Sequence, residues 1–145
     1  GRVGIGAQML GLAQGAFLKG VKYAQERKQF GKAVADFQGM QFQMAQVAME
    51  IEATKALVYN AARLKEEGRP FARAAAMCKL YAAQTAQKAS GSAIEWCGGQ
   101  GFTREQGVEK YWRDSKIGAI YEGTSNIMLE TIWKMTQADI KNSAD

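Results

Sequence analysis

The residues best suited to chemistry in this sequence are Tyr121-Glu122-Gly123-Thr124-Ser125-Asn126, preceded by Arg113-Asp114. A carboxylate is followed at once by glycine and then by Thr-Ser, a pairing that caps helix N-termini and leaves amides and hydroxyls able to meet a carbonyl or phosphate oxygen. A base would be well placed beside such donors. Taken alone, Glu122 equally fits a plain helix start, where an acid favours the dipole. The 145 residues include no histidine. That removes Ser-His-Asp and Cys-His nucleophiles, His-ligated zinc and imidazole acid-base chemistry together. A general base in this chain must be a carboxylate or, failing that, Lys, Tyr or Cys.

Two further segments differ from plain helical surface. In Glu26-Arg27-Lys28-Gln29-Phe30-Gly31-Lys32, continuing to Asp36-Phe37-Gln38, a loop holds two aromatics beside cations and ends in a glycine turn. Such a loop can grip a phosphate and a flat ring, or serve as an ordinary connection with Phe30 and Phe37 stapled to the core. In Ile94-Glu95-Trp96-Cys97-Gly98-Gly99-Gln100-Gly101-Phe102, three glycines let the backbone approach something closely. No strand precedes them and the G-x-G-x-x-G order is missing, so a Rossmann reading fails; a helix C-cap accounts for at least one.

The elements that must position these segments read as helices. Only Pro70 interrupts a chain rich in Ala, Gln, Met, Lys and Glu. From Phe37, the positions Met40, Met44, Val47, Ile51, Thr54, Val58 and Ala61 step by three or four and predict one long helix ending at Gly68, with Pro70 opening the next segment. Val3 to Lys28 reads as another, with Leu10, Phe17, Val21 and Ala24 on one face and Gly4, Gly11, Gly15 and Gly20 suggesting close backbone packing. An alanine-rich helix runs from Pro70 to about Trp96. After an irregular or helical stretch around Val108 to Asp114, a last helix starts near Thr124, with Asn142 to Asp145 frayed. No stretch alternates as a strand. The fold predicted is all-α, an up-and-down bundle of four long antiparallel helices with short connections.

Bulk properties narrow the function. With 47% of residues hydrophobic, one domain with one core is expected. No apolar run reaches the length of a membrane span. The net charge of +5 is spread along the chain and mixed with acids, which argues against nucleic acid and for a solvated basic surface with one or two arginines facing a phosphate-bearing ligand. Cys78 and Cys97 lack metal-ligand spacing and read as reduced, half-buried core residues; no metal site is expected. The opening Gly1-Arg2-Val3 is already helix-like and carries no methionine, so a longer protein continuing upstream is expected.

In order along the chain, Gly1-Arg2-Val3-Gly4-Ile5, Leu10-Gly11-Leu12-Ala13-Gln14, Arg27-Lys28-Gln29-Phe30-Gly31, Phe37-Gln38, Gly98-Gly99-Gln100-Gly101-Phe102, Tyr111-Trp112-Arg113-Asp114 and Ile120-Tyr121-Glu122-Gly123-Thr124-Ser125 resemble the C-terminal domain of acyl-CoA dehydrogenases. The resemblance covers essentially the whole chain. It implies an enzyme with an N-terminal helical domain, a middle β-domain and this bundle, binding FAD between the last two and a neighbouring subunit. Residues 1–145 would then be the bundle alone, without the other two domains.

By the same resemblance, Glu122 removes the proton α to the thioester carbonyl while the β-hydrogen leaves as hydride to the flavin. The chemistry needs a desolvated carboxylate and donors aimed at the developing enolate oxygen, here the Glu122 amide and the FAD 2′-hydroxyl. Arg27 and Gln38 would bind the FAD of a partner subunit with Phe30 close by, and Glu95, Trp96, Cys97, Gly98 and Gly99 would line its adenosine diphosphate part. Thr124, Ser125 and Asn126 would contact the chain's own FAD, and Arg2 and Gly123 would help hold acyl-CoA. Many relatives have glutamine at position 95 and glutamate at position 126, so these two departures set the corresponding flavin contacts apart. The Ile94-Glu95-Trp96 stretch and the Glu-Gly-Thr-Ser-Asn run look closest to the branch that oxidises short or 2-methyl-branched acyl-CoAs. Members acting on long-chain or isovaleryl substrates carry the base on the first helix of this domain instead.

The resemblance further implies a homo-oligomer, dimer or tetramer, an electron-transferring flavoprotein as redox partner, and residence in the mitochondrial matrix of a eukaryote or the cytoplasm of a bacterium. Two other readings stay open: an acyl-CoA oxidase, with the same bundle and base but oxygen as acceptor, and a non-catalytic helical association module.

Overall fold

The computed structural model describes residues 1–143, so the frayed end expected from Asn142 to Asp145 falls partly outside the described residues. Its helices are α1 (Arg2–Glu26), α2 (Gln38–Glu66), α3 (Ala72–Cys97), α4 (Val108–Ser115) and α5 (Ser125–Asn142), and a hairpin of β1 (Lys28–Gln29) and β2 (Lys32–Ala33) joins α1 to α2. The side-chain partners give the directions. Gln43 and Thr54 of α2 meet Trp96 and Thr85 of α3, so those helices are antiparallel. Gly6 and Gly20 of α1 lie against Cys78 and Ala93 of α3, so these run the same way. Arg73 and Lys79 of α3 reach Asp139 and Gly123 at opposite ends of α5, which runs back. The four long helices thus alternate up and down, as predicted.

Helix α3 sits at the centre because it is built from small residues. Ala75, Ala76, Ala82, Ala83, Ala86, Ala89 and Ala93 are all buried, on more than one face of the helix. Alanine gives the best helix propensity and keeps neighbours near. The predicted stripe of α2 is the face that closes on it, with Val47, Ile51, Thr54, Val58 and Ala61 buried. Thr54 and Thr85 satisfy one another at 2.8 Å inside this seam. Helix α2 ends in a paired closure, Gly68 N–H to the Lys65 carbonyl and Arg69 N–H to that of Leu64, with Gly68 at φ +67.

Four expectations need correction. The connection from α3 to α5 is not short: residues 98–124 hold two 3-10 turns and the fifth helix, α4, whose Tyr111 packs on Gly15. A strand pair exists, but each strand has two residues, too few to produce a period-two signal. The helix-α1 glycines divide. A Cβ on Gly20 would come within 2.9 Å of the Ala93 Cβ and one on Gly15 within 2.8 Å of Tyr111, whereas Gly4 and Gly11 face open space. Cys78 and Cys97 are fully buried rather than half-buried, and free. Burial pushes the Cys78 thiol up to about 11 and raises that of Cys97. Among the described residues no helix is long and apolar enough to cross a membrane, and no cluster of His, Cys, Asp or Glu could hold a metal.

Candidate functional site

The fold sorts the predicted residues into two groups at opposite ends of α1, whose 25 residues span roughly 37 Å. Each end follows from local chain geometry.

At the C-terminal end of α1, Arg27 comes beside the end of α3. A cleft of about 380 Å³ is lined by Tyr23, Arg27, Val34 and the run Glu95 to Gln100. A second groove, about 540 Å³, adjoins it through Tyr23, Arg27 and Gln100 and adds Lys19 and Lys22. Gly98 caps α3 at φ +57, a conformation that L side chains avoid. Nothing lies within 4 Å of where a Cβ on Gly98 or Gly99 would stand, so bare backbone faces the cleft. Gly101, in contrast, is buried against the Ile94 backbone and is a packing residue. The side chains of Trp96 and Cys97 turn away from the cleft into the core: the indole donates to Gln43 Oε1 at 3.1 Å and meets Phe17 edge-on at 5.9 Å. Only the backbone of these two residues is left to line a ligand. Exposed Arg27 with Lys19 and Lys22 beside it can meet the charge of a pyrophosphate, and the uncovered Gly98-Gly99 backbone allows its close approach, so the residues present fit the dinucleotide part of FAD.

Phe30 and Gly31 form the two-residue turn of the hairpin at φ +53 and +83. A primed turn needs positive φ at both positions, which is why a phenylalanine takes the left-handed region here. Phe30 is 94% exposed, with its ring 6.4 Å from that of Phe37. Lys32 stands over the Phe37 ring at 4.2 Å. Gln38, exposed, opens α2 next to this loop.

At the other end, Glu122 and Gly123 form a second left-handed pair, φ +54 and +105, just before α5. Thr124 caps that helix through Oγ1, which accepts from the Ile127 amide at 3.4 Å, and the Ser125 hydroxyl donates to the Ala119 carbonyl at 3.5 Å. Asn126 is exposed in the first turn. The Glu122 carboxylate lies against the start of α1, filling the place a β-carbon at Gly1 would take, with Arg2 adjoining in sequence. The Tyr121 hydroxyl donates to Gln8 Oε1 at 2.5 Å, and burial followed by the Glu122 charge raises its pKa. Glu122 itself is exposed. The dry surroundings that α-proton removal requires are therefore not built by these residues alone.

Beneath this turn is a residue that the sequence reading passed over. Lys79 of α3 is completely buried and its ammonium donates to the Gly123 carbonyl. Among the described residues no carboxylate pairs with it, and the charge that acts on it is that of Arg2. Burial first, then Arg2, lowers its pKa from the ordinary lysine value. A left-handed non-glycine residue costs about 1–3 kcal/mol, and a hydrogen bond from a charged donor contributes about 1.5–3 kcal/mol. The two are comparable in size, so this contact bears directly on the conformation of the Glu122 turn. A signal was present: Lys79 falls three and four residues from Ala75, Ala76, Ala82 and Ala83, the register of the buried face.

Comparison with known proteins matches residues 1–136 to the family model described as acyl-CoA dehydrogenase, C-terminal domain. The chain is 56% identical over 139 residues to a mitochondrial short/branched chain specific acyl-CoA dehydrogenase of Rattus norvegicus, covering 96% of this chain and 32% of that protein. It is 44% identical over 127 residues to the caffeyl-CoA reductase-Etf complex subunit CarC of Acetobacterium woodii, covering 88% and 34%. Among solved structures, butyryl-CoA dehydrogenase of Megasphaera elsdenii superposes with a TM-score of 0.92 at 40% identity, covering 94% of this chain and 36% of that one. The chain thus spans about a third of the length of these relatives. It belongs to the acyl-CoA dehydrogenase family and corresponds to that family's C-terminal domain.

Proposed function

We propose that this chain works as the C-terminal domain of a larger FAD-dependent acyl-CoA dehydrogenase that introduces an α,β double bond into short or 2-methyl-branched acyl-CoA thioesters. The observation that carries the reading is the Glu122 turn: a carboxylate presented on a left-handed backbone at a surface, against the start of α1. Bulk water there would level a carboxylate's basicity, and a domain closing over it would remove that water. Glu122 takes the α-proton, its own amide donates to the thioester oxygen as charge develops, and Arg2 and Gly123 line the acyl-CoA side. FAD, when bound, supplies the hydride acceptor and a second donor to that oxygen.

The residues at the far end serve a different molecule of FAD. The roughly 37 Å length of α1 separates Arg27, Gln38 and the residues 95–99 from Thr124, Ser125 and Asn126, more than one dinucleotide spans. That separation supports the assignment implied by the family resemblance, in which the first set holds the cofactor of a partner subunit and the second the chain's own, and with it assembly into at least a dimer. The relative named as an Etf-complex subunit supports an electron-transferring flavoprotein as redox partner. The rat relative supports a mitochondrial setting if the source is a eukaryote; the bacterial ones support the cytoplasm otherwise. The 145 residues alone would bind little FAD and turn over nothing.

The test uses the full-length, FAD-loaded protein under anaerobic conditions. Addition of 2-methylbutyryl-CoA should bleach the flavin absorbance, straight long-chain thioesters should do so slowly, and Glu122→Gln should retain FAD yet fail to bleach. Bleaching at the normal rate by Glu122→Gln would remove Glu122 from the mechanism. Rapid reoxidation by oxygen with the product bound would favour the oxidase reading.

A further inference from the structure

We infer that Lys79 is the positioning residue of the Glu122 carboxylate, acting through the Gly123 carbonyl that it holds from inside the bundle. The inference rests on the reading of Glu122 as the base and adds to it the part that sets its direction.

The argument starts from cost. A lysine without solvent and without a carboxylate partner is an unfavourable occupant for a helix whose other buried positions are alanine, cysteine, leucine, serine, threonine and tryptophan. A methionine or leucine would fill the same volume without leaving a charge to solvate. What the ammonium does at that position is accept the one obligation nearby, the Gly123 carbonyl. That carbonyl follows two consecutive residues of positive φ, Glu122 and Gly123, and is met from inside the bundle by the buried Lys79. Without the Lys79 contact the 123–124 peptide is free to turn about Gly123 ψ and Thr124 φ, and the loop that presents the Glu122 carboxylate at the start of α1 loses its charged anchor.

The rest of the turn cannot substitute for this hold. Thr124 is committed to capping α5, and Tyr121 is tied to Gln8 on α1. Met128, fully buried, blocks the space beside Gly123 and so excludes a side chain there, but it offers no donor. Steric exclusion sets what Gly123 can be, and Lys79 sets which way its carbonyl faces. The carboxylate one residue earlier is presented by a turn that Lys79 pins at that carbonyl.

The experiment compares Lys79→Met, which keeps most of the apolar stem and removes the donor, with Glu122→Gln in the full-length, FAD-loaded protein. Per bound flavin, Lys79→Met should slow reduction by 2-methylbutyryl-CoA by about ten- to a hundredfold, the size of effect that misplacement of a reacting group produces. KM should stay within about twofold, because uniform binding is untouched. Deuteration of the α-carbon should slow the variant more than the native protein, since proton removal becomes the harder step. Independently of turnover, hydrogen–deuterium exchange should quicken in residues 119–128 and stay unchanged in 80–93. If Lys79→Met does not fold, Lys79→Leu, apolar and likewise without a donor, is read by the same criteria. A reduction rate within about twofold of native, exchange that quickens equally along α3, or failure of both variants to fold would each overturn the inference and leave Lys79 with a role in the fold alone. Normal turnover by Glu122→Gln would instead sink the base assignment; a dead Glu122→Gln beside a fully active Lys79→Met would sink only the role of Lys79.

Discussion

Two places in this molecule put a non-glycine residue in the left-handed region with a glycine after it, and they do so for different reasons. Phe30-Gly31, φ +53 and +83, is the turn of a hairpin, and two backbone-paired strands of two residues impose the conformation. Its side chain projects into solvent with 94% of its surface exposed. Glu122-Gly123, φ +54 and +105, joins a 3-10 turn to α5, where no strand pairing dictates the conformation. A buried lysine holds it instead. The comparison separates strain that comes with a turn type from strain maintained by a dedicated contact. Only the second kind implies that the direction of the side chain matters.

The same contrast separates the ends of the bundle by chemistry. The Arg27 end offers open backbone, cations and clefts, features that bind. The Glu122 end offers one directed carboxylate, which the proposed function uses as the base. Arg27→Glu should lower FAD retention by about ten- to a hundredfold, the loss expected for a charge-assisted contact, and leave the reduction rate per bound flavin unchanged; flavin content after gel filtration measures the first and stopped-flow the second. A fall in rate at full flavin content would merge the two ends and break the comparison.

Smaller effects test the scaffold between them. Gly20→Ala should destabilise by about 1–3 kcal/mol in urea unfolding through overpacking, because its Cβ would meet Ala93 at 2.9 Å. Cys78→Ala tests the core pH response. The thiol, raised to about 11 by burial, is neutral in the folded state after it ionises in the unfolded one. Its contribution is complete below about pH 9 and is lost as pH rises through the folded value, so the stability gap between native protein and Cys78→Ala should narrow by about 2–3 kcal/mol over that window. Gly11→Ala, in open space, should stabilise by about 0.5–1 kcal/mol through helix propensity. Phe30→Asn should also stabilise by a similar amount or less, because asparagine tolerates the left-handed region; an equal gain from an uncharged replacement at Glu122 would show that its turn is not specially held.

How much of this could be read from residue types alone follows from the range over which each signal acts. The α2 stripe from Met40 to Ala61 was legible because burial on one face imposes a period. The Thr124 cap and the Gly68 stop were legible because capping is local chemistry. The hairpin was not, since two-residue strands carry no periodicity. The ends of the α3 to α5 connection were legible, near Trp96 and Thr124, but α4 within it read only as an irregular or helical stretch, because one helix of eight residues blurs into a loop at that scale. Trp96 and Cys97 sit in a segment that borders a cleft, yet their side chains belong to the core; a sequence segment locates a backbone path but not which way each residue faces. Lys79 was missed for the opposite reason. A lysine is read as surface by default, and only its register within the buried face of α3 contradicts that reading.

The central claim, that Glu122 removes the α-proton, is tested most directly by separating proton removal from hydride loss. A thioester such as 3,3-dimethylbutyryl-CoA has α-protons and no β-hydrogen, so it can exchange but not be oxidised. In D₂O the full-length, FAD-loaded protein should exchange those α-protons, followed by NMR, and Glu122→Gln with its FAD intact should exchange them at least about a thousandfold more slowly, in line with loss of a positioned general base. Exchange at the native rate in Glu122→Gln would contradict the account.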